Sequence, residues 1–196
     1  MKTVQSVLLF LLCGNLVSSA QVPLLNSYPS AKATVYLDFD GQYVSGTSWN
    51  WIGDIEAKPA DLTPVAINEI FNRVAEDFRI FDLNITTDSN VFLSAPRSQR
   101  MRVIITPTSS WYGSAGGVSY VESFTWGDDT PAWVFSQLLN NNIKYIAEAC
   151  SHETGHTLGL QHQSTYNASC GKTGASSSDY RDATGRNATQ AIADDG

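Results

Sequence analysis

Three histidines and a glutamate in the segment 152–162 have the types and spacing of a catalytic metal site. His152 and His156 are four residues apart, so on a helix both imidazoles lie on one face and can bind a single ion. Glu153 lies about 100° further around the helix, where a base acting on a bound water would stand. The third histidine, His162, completes a set that contains every histidine of the chain.

Gly159 indicates how the third histidine can reach the same ion. If the helix continued, His162 would lie roughly 9 Å beyond His156 along the axis, and on a different face. A glycine takes the left-handed conformation that ends a helix, so a turn at Gly159 can bring His162 back. The sequence therefore predicts three imidazole ligands and an open coordination position, which is typical of catalytic zinc sites.

The pattern HExxHxxGxxH, matched at His152, Glu153, His156, Gly159 and His162, resembles the signature of the metzincin zinc endopeptidases. It is far more specific than HExxH alone. The resemblance implies a secreted metalloprotease of bacterial-like type that binds one zinc ion (Zn2+) through the three histidines. Zinc would activate a water molecule, and Glu153 would act as general base in peptide-bond hydrolysis.

The segment after His162 departs from the family pattern. Metzincins have a methionine turn beyond the third histidine, whereas Met1 and Met101 both precede the motif here. Residues 163–196 are mostly small and polar, which predicts an irregular or truncated C-terminal segment rather than a packed lower subdomain. Three hypotheses follow: a truncated inactive fragment, a minimal enzyme with a substitute floor, or a non-catalytic secreted domain that binds zinc.

The first twenty residues have the layout of a signal peptide. Lys2 precedes an apolar stretch from Val7 to Leu12, and the small residue Ala20 stands before the expected cleavage site at Gln21. We therefore expect a secreted, extracellular protein. No later apolar stretch approaches the about 20 residues that a membrane span needs.

The net charge of the chain restricts the classes of partner that it is expected to bind. A formal net charge of −7 argues against nucleic acid, which requires a basic patch, so the expected partner is a protein or peptide substrate. Asp38, Asp40, Asp128 and Asp129 offer oxygen ligands for calcium, but they form no recognisable calcium loop. We expect these four to be solvated turn carboxylates.

Two cysteines, Cys150 and Cys170, remain if the first twenty residues are removed. They could form a disulfide in an oxidising compartment. The alternative is a buried core thiol at Cys150, on the helix with the metal ligands, and a free thiol at Cys170. The spacing does not separate these hypotheses.

The pattern of apolar residues predicts an α/β domain over residues 21–162. The predicted elements are strands at 33–39, 83–87, 101–106, 118–121 and 131–139, with helices starting at Thr63 or Pro64 and after Asn142. The strand, helix, strand order favours parallel crossovers, and hence a mixed, mostly parallel twisted sheet backed by helices. This order resembles the upper half of a metzincin catalytic domain, a zincin-like fold, in which the strand at 118–121 would be the edge strand above the cleft.

Overall fold

The computed structural model describes residues 21–162. The predicted signal peptide at 1–20, the polar segment 163–196 and Cys170 lie outside this range. The elements in chain order are β1 (Ala33–Asp38), β2 (Gln42–Val44), β3 (Ile55–Ala57), α1 (Pro64–Asp77), β4 (Leu83–Thr86), α2 (Ser89–Ser94), β5 (Arg100–Thr106), β6 (Gly117–Val118), β7 (Ala132–Phe135) and α3 (Ile143–Thr157). No helix in the described range is both long and apolar enough to cross a membrane.

Five of the strands form one sheet in the order β4-β1-β5-β7-β6. Strands β4, β1, β5 and β7 run parallel to one another, and β6 runs antiparallel to β7 at the edge. The predicted α/β architecture with a mixed, mostly parallel sheet is therefore confirmed. A separate antiparallel pair, β2 and β3, was not predicted.

Side-chain caps fix the starts of the two long helices. The Thr63 hydroxyl accepts a hydrogen bond from the Ala66 amide, and Pro64 occupies the first turn of α1. The Asn142 side chain accepts from the amides of Lys144 and Tyr145 at the start of α3. Both predicted helix starts are correct, because capping depends on residues that are adjacent in sequence.

The main core lies between the sheet and the two long helices. Ile70 and Val74 of α1 and Ile146 and Cys150 of α3 are fully buried there with Val103 of β5. Burial raises the pKa of the Cys150 thiol far above its ordinary value, with the nearby Glu153 carboxylate adding to the effect. Cys150 is thus a free, buried core thiol, as one of the two hypotheses predicted.

The opposite face of the sheet carries two arginine–aspartate contacts. Arg102 Nη1 donates to the Asp38 carboxylate at 3.0 Å, and Asp38 is only 1% exposed. Asp129 accepts hydrogen bonds from the Arg100 guanidinium at 2.8 and 2.9 Å. The prediction of solvated turn carboxylates is wrong for Asp38 and Asp129, because each is paired with an arginine of β5.

Replacing Asp38 by asparagine is expected to change the pH dependence of stability. Burial raises the pKa of Asp38 to about 8, so the folded chain binds this proton more tightly than the unfolded chain. The resulting stabilisation is present below pH 4 and is lost as pH rises through about 8. An asparagine side chain mimics the neutral acid, so the stability advantage of D38N over the wild type should grow by about 1.4 kcal/mol or more between pH 5 and pH 9.

Urea unfolding at the two pH values measures this difference directly. Titrating groups that are remote from Asp38 cancel between the two proteins, so the comparison reports Asp38 together with its neighbours Tyr36, Asp40 and Arg102. If D38N were less stable by the same amount at pH 5 and pH 9, Asp38 would be charged throughout, and the ion pair with Arg102 would be stabilising.

Candidate metal centre

The end of α3 brings the third histidine towards the first two. Gly159 has φ +97°, the Leu160 amide donates to the Gly155 carbonyl at 2.9 Å, and the Gly159 amide donates to the His156 carbonyl at 2.9 Å. These two bonds form a Schellman motif, which reverses the chain at the end of a helix. The predicted turn at Gly159 is confirmed, and it directs His162 back along the helix.

The three imidazoles converge on one point through their Nε2 atoms. The Nε2 atom of His152 lies 2.9 Å from that of His156 and 3.0 Å from that of His162, and the last two are 3.1 Å apart. Two nitrogens bound to one tetrahedral zinc at about 2.0–2.1 Å would be separated by about 3.3 Å. The described residues include this one group of three metal-ligating side chains.

The protonation of the histidines fits a metal ion. The Nδ1 atom of His156 lies 2.7 Å from the Leu160 carbonyl, which can only accept, so Nδ1 carries the proton and Nε2 keeps its lone pair. Burial, followed by the charges of His156 and His162, lowers the pKa of His152 to about 4. Burial and His156 also lower the pKa of His162. Neutral imidazoles are the form that binds metals.

Glu153 is buried next to this group. It is 6% exposed, and its Oε2 atom accepts a hydrogen bond from the Ser119 hydroxyl at 2.7 Å. Burial raises the pKa of the Glu153 carboxyl, while the Ser119 hydrogen bond and the His156 charge lower it. A glutamate with this burial and this single specific donor differs from an ordinary carboxylate on a helix surface.

Gly117 of β6 lies directly against the Glu153 side chain. A Cβ atom at Gly117 would stand 2.8 Å from Glu153 Cγ and Oε1, and 2.9 Å from the Trp133 carbonyl oxygen. Only glycine fits at this position without displacing the glutamate or β7. Sequence analysis did not single out Gly117 or Ser119, although their separation of two residues places them on one face of a strand.

Gly117→Ala is expected to lower kcat by about 10²-fold if Glu153 is catalytic, because the new methyl group displaces the carboxylate and a 1 Å misplacement can cost that much. Steady-state kinetics with melting temperatures would measure the effect. The matched control is Gly116→Ala, whose Cβ meets only the flexible end of Leu139. Equal kcat values for the two variants would contradict a role for the Gly117 contact.

The edge strand is shorter than predicted. The strand covers Gly117–Val118 instead of 118–121, because the Glu122 amide leaves the sheet to donate to the His156 carbonyl at 3.0 Å. The Phe135 amide donates to the Gly116 carbonyl, so in the antiparallel alternation the amide and carbonyl of Gly117 point away from β7. The predicted strand at 131–139 is likewise shorter and ends at Phe135, where a turn begins.

Comparisons of the chain with protein-family models, with curated proteins and with solved structures found no match. The functional interpretation therefore depends on the site itself. Its parts are three convergent imidazoles, a buried glutamate beside them and an open strand edge next to the glutamate.

Proposed function

We propose that this chain is a secreted zinc-dependent endopeptidase that resembles the metzincins in its catalytic helix. The observation that carries the proposal is the convergence of three Nε2 atoms within 3.1 Å beside the buried Glu153. The mixed sheet backed by α1 and α3 is compatible with a zincin-like fold. The proposed signal peptide at 1–20 provides the route to the extracellular space.

His152, His156 and His162 would hold the metal ion. When bound, zinc supplies a Lewis acid that polarises the scissile carbonyl and lowers the pKa of water to about 7. The hydrogen bond from His156 Nδ1 to the Leu160 carbonyl fixes the tautomer and the ring orientation for this role. The described residues 21–162 show no comparable set of oxygen ligands for calcium, and Asp38 and Asp129 are paired with arginines.

Glu153 would act as the general base and then as the general acid. Its carboxylate accepts a proton from the attacking water and delivers it to the departing amine. The Ser119 hydroxyl occupies Oε2, which leaves Oε1 as the oxygen for this transfer. Because Glu153 is 6% exposed, bulk water has little access to compete for that oxygen.

The substrate would be a peptide in extended conformation. The outward amide and carbonyl of Gly117 offer main-chain hydrogen bonds to a strand added at the free edge of β6. Main-chain bonds of this kind are made equally by any peptide, and they therefore support an endopeptidase rather than an enzyme that recognises a chain terminus.

The decisive experiment is cleavage of a mixed peptide library by the purified chain after loading with zinc. Glu153→Ala, prepared identically, controls for contaminating proteases, and a chelator tests the need for metal. The proposal expects cleavage by the wild type that disappears in the variant and with the chelator. Equal cleavage by wild type and variant would assign the activity to a contaminant.

A zinc-binding domain without catalysis is the second candidate, because three convergent imidazoles can hold zinc whether or not Glu153 transfers a proton. In that case the wild type and Glu153→Ala would both bind zinc tightly, and neither would cleave the library. Zinc bound per chain, measured together with cleavage, separates the two functions.

A further inference from the structure

We propose that Ser119 is the residue that positions Glu153 for proton transfer. This inference deepens the proposed function and depends on Glu153 being its general base. The Ser119 Oγ atom lies 2.7 Å from Glu153 Oε2 and 3.1 Å from the Glu153 backbone carbonyl oxygen. Among the described residues, no other side chain donates a hydrogen bond to this carboxylate.

The backbone on both sides of Ser119 is held in place by hydrogen bonds to other elements. On the N-terminal side, Val118 pairs with Trp133 of β7, so β6 is part of the sheet. On the C-terminal side, the Glu122 amide donates to the His156 carbonyl at 3.0 Å and ties the same segment to α3. Ser119 therefore lies between two attachments, one to the sheet and one to the metal-ligand helix.

The main chain at Gly117 lies against the other oxygen of the carboxylate. Gly117 lies so near that a Cβ on it would be 2.8 Å from Glu153 Oε1. The Ser119 hydroxyl and the Gly117 backbone thus define one orientation, in which Oε2 is hydrogen-bonded and Oε1 is the remaining acceptor. Holding a catalytic group in one orientation before the reaction reduces the entropy lost in the transition state.

Because Glu153 is buried, its orientation depends strongly on the hydrogen bond from Ser119. On a solvated glutamate, water would replace a lost hydroxyl, but Glu153 is 6% exposed. Without Ser119, the carboxylate lacks the one side-chain donor that the described residues offer it, and rotation is the way in which Oε2 can find another protein partner. Rotation moves Oε1 away from the position that the strand and the helix define for it.

The test compares Ser119→Ala with Ser119→Thr, which keeps the hydroxyl, and with Ser136→Ala as control. Ser136 is fully buried, whereas Ser119 is partly buried, and the Ser136 hydroxyl makes no hydrogen bond within the described residues, so its loss controls for removal of a serine hydroxyl from the protein interior. We expect Ser119→Ala to lower kcat by about 10–100-fold, the range for residues that orient a metal site, with KM and zinc affinity unchanged. Ser119→Thr should restore kcat to within about fivefold of the wild type.

Three results would overturn the inference. The first is a kcat for Ser119→Ala equal to that of Ser136→Ala. The second is a loss of zinc affinity in Ser119→Ala that accounts for the lower activity. The third is failure of Ser119→Thr to restore kcat although it binds zinc and melts like the wild type.

A crystal structure of zinc-loaded Ser119→Ala gives a readout that does not depend on activity. The inference expects the Glu153 carboxylate in a different orientation from the wild type, and an unchanged orientation would contradict it. If the wild type cleaves no peptide, the proposed function fails while this structural comparison still tests the positioning of Glu153. The two failures are therefore distinguishable.

Discussion

Glu153→Gln is expected to lower kcat by about 10²–10⁴-fold, the usual contribution of a general base. Glutamine has the shape of glutamate and can still accept a hydrogen bond from Ser119, but its amide cannot accept the proton of the attacking water. Zinc should stay bound, since Glu153 lies beside the three imidazoles and is not one of the converging nitrogens. Steady-state kinetics on a cleaved library peptide, together with the zinc content per chain, would measure both effects.

Glu148→Gln is the matched control, because Glu148 is the other acidic residue of α3. It is ion-paired with Lys144 at 3.7 Å, one turn earlier on the helix. Its neutralisation removes the same charge from the same helix, and Glu148 is not among the three converging ligands, so kcat should stay near that of the wild type. A Glu153→Gln enzyme that kept more than about a tenth of wild-type kcat would assign the proton transfer to another group.

His156→Ala is expected to weaken zinc binding more than 100-fold, beyond the 10–100-fold typical for residues that only support a ligand. The Nε2 atom of His156 is within 3.1 Å of both other ligand atoms, and its removal leaves two nitrogens. The Leu160 carbonyl also loses its donor at the turn that carries the chain to His162. Competition with a chromophoric chelator measures the change in Kd.

The comparison protein for this measurement is Glu153→Gln, which should bind zinc like the wild type. The two variants then separate metal binding from proton transfer, since one loses the ion and the other loses only turnover. If His156→Ala bound zinc as tightly as the wild type, the three histidines would not be the metal site.

The elements that the sequence predicted well depend on local signals. The N-terminal caps of α1 and α3 are examples. Thr63 and Asn142 accept hydrogen bonds from amides no more than three residues further along the chain, so the sequence was sufficient to predict where both helices start. The hairpin of β2 and β3 was missed because each strand has three residues, too few to establish an alternation. The burial of Asp38 depends on Arg102, which is 64 residues away, and no local pattern could indicate that pairing.

The candidate site also has features that the local sequence predicts and features that only the fold reveals. The convergence of His152 and His156 follows from helix geometry, and the return of His162 follows from the glycine turn. The contacts of Gly117 and Ser119 with Glu153 require the order of the sheet, because β6 must pair beyond β7 before its inner face meets α3. Sequence alone placed β6 near the site, but it could not show which of its residues touch the glutamate.

If zinc binds the three histidines as proposed, the shared helix would also link metal occupancy to the stability of the domain. Cys150 and Ile146 of α3 lie in the main core, while His152 and His156 follow on the same helix. The three imidazoles converge only when this helix is folded against the sheet, so an ion held by them would bind the native chain and not the unfolded one. By mass action, free zinc at 100 times its Kd would stabilise the domain by about 2.7 kcal/mol. Melting temperature would then be a measure of metal occupancy that needs no substrate.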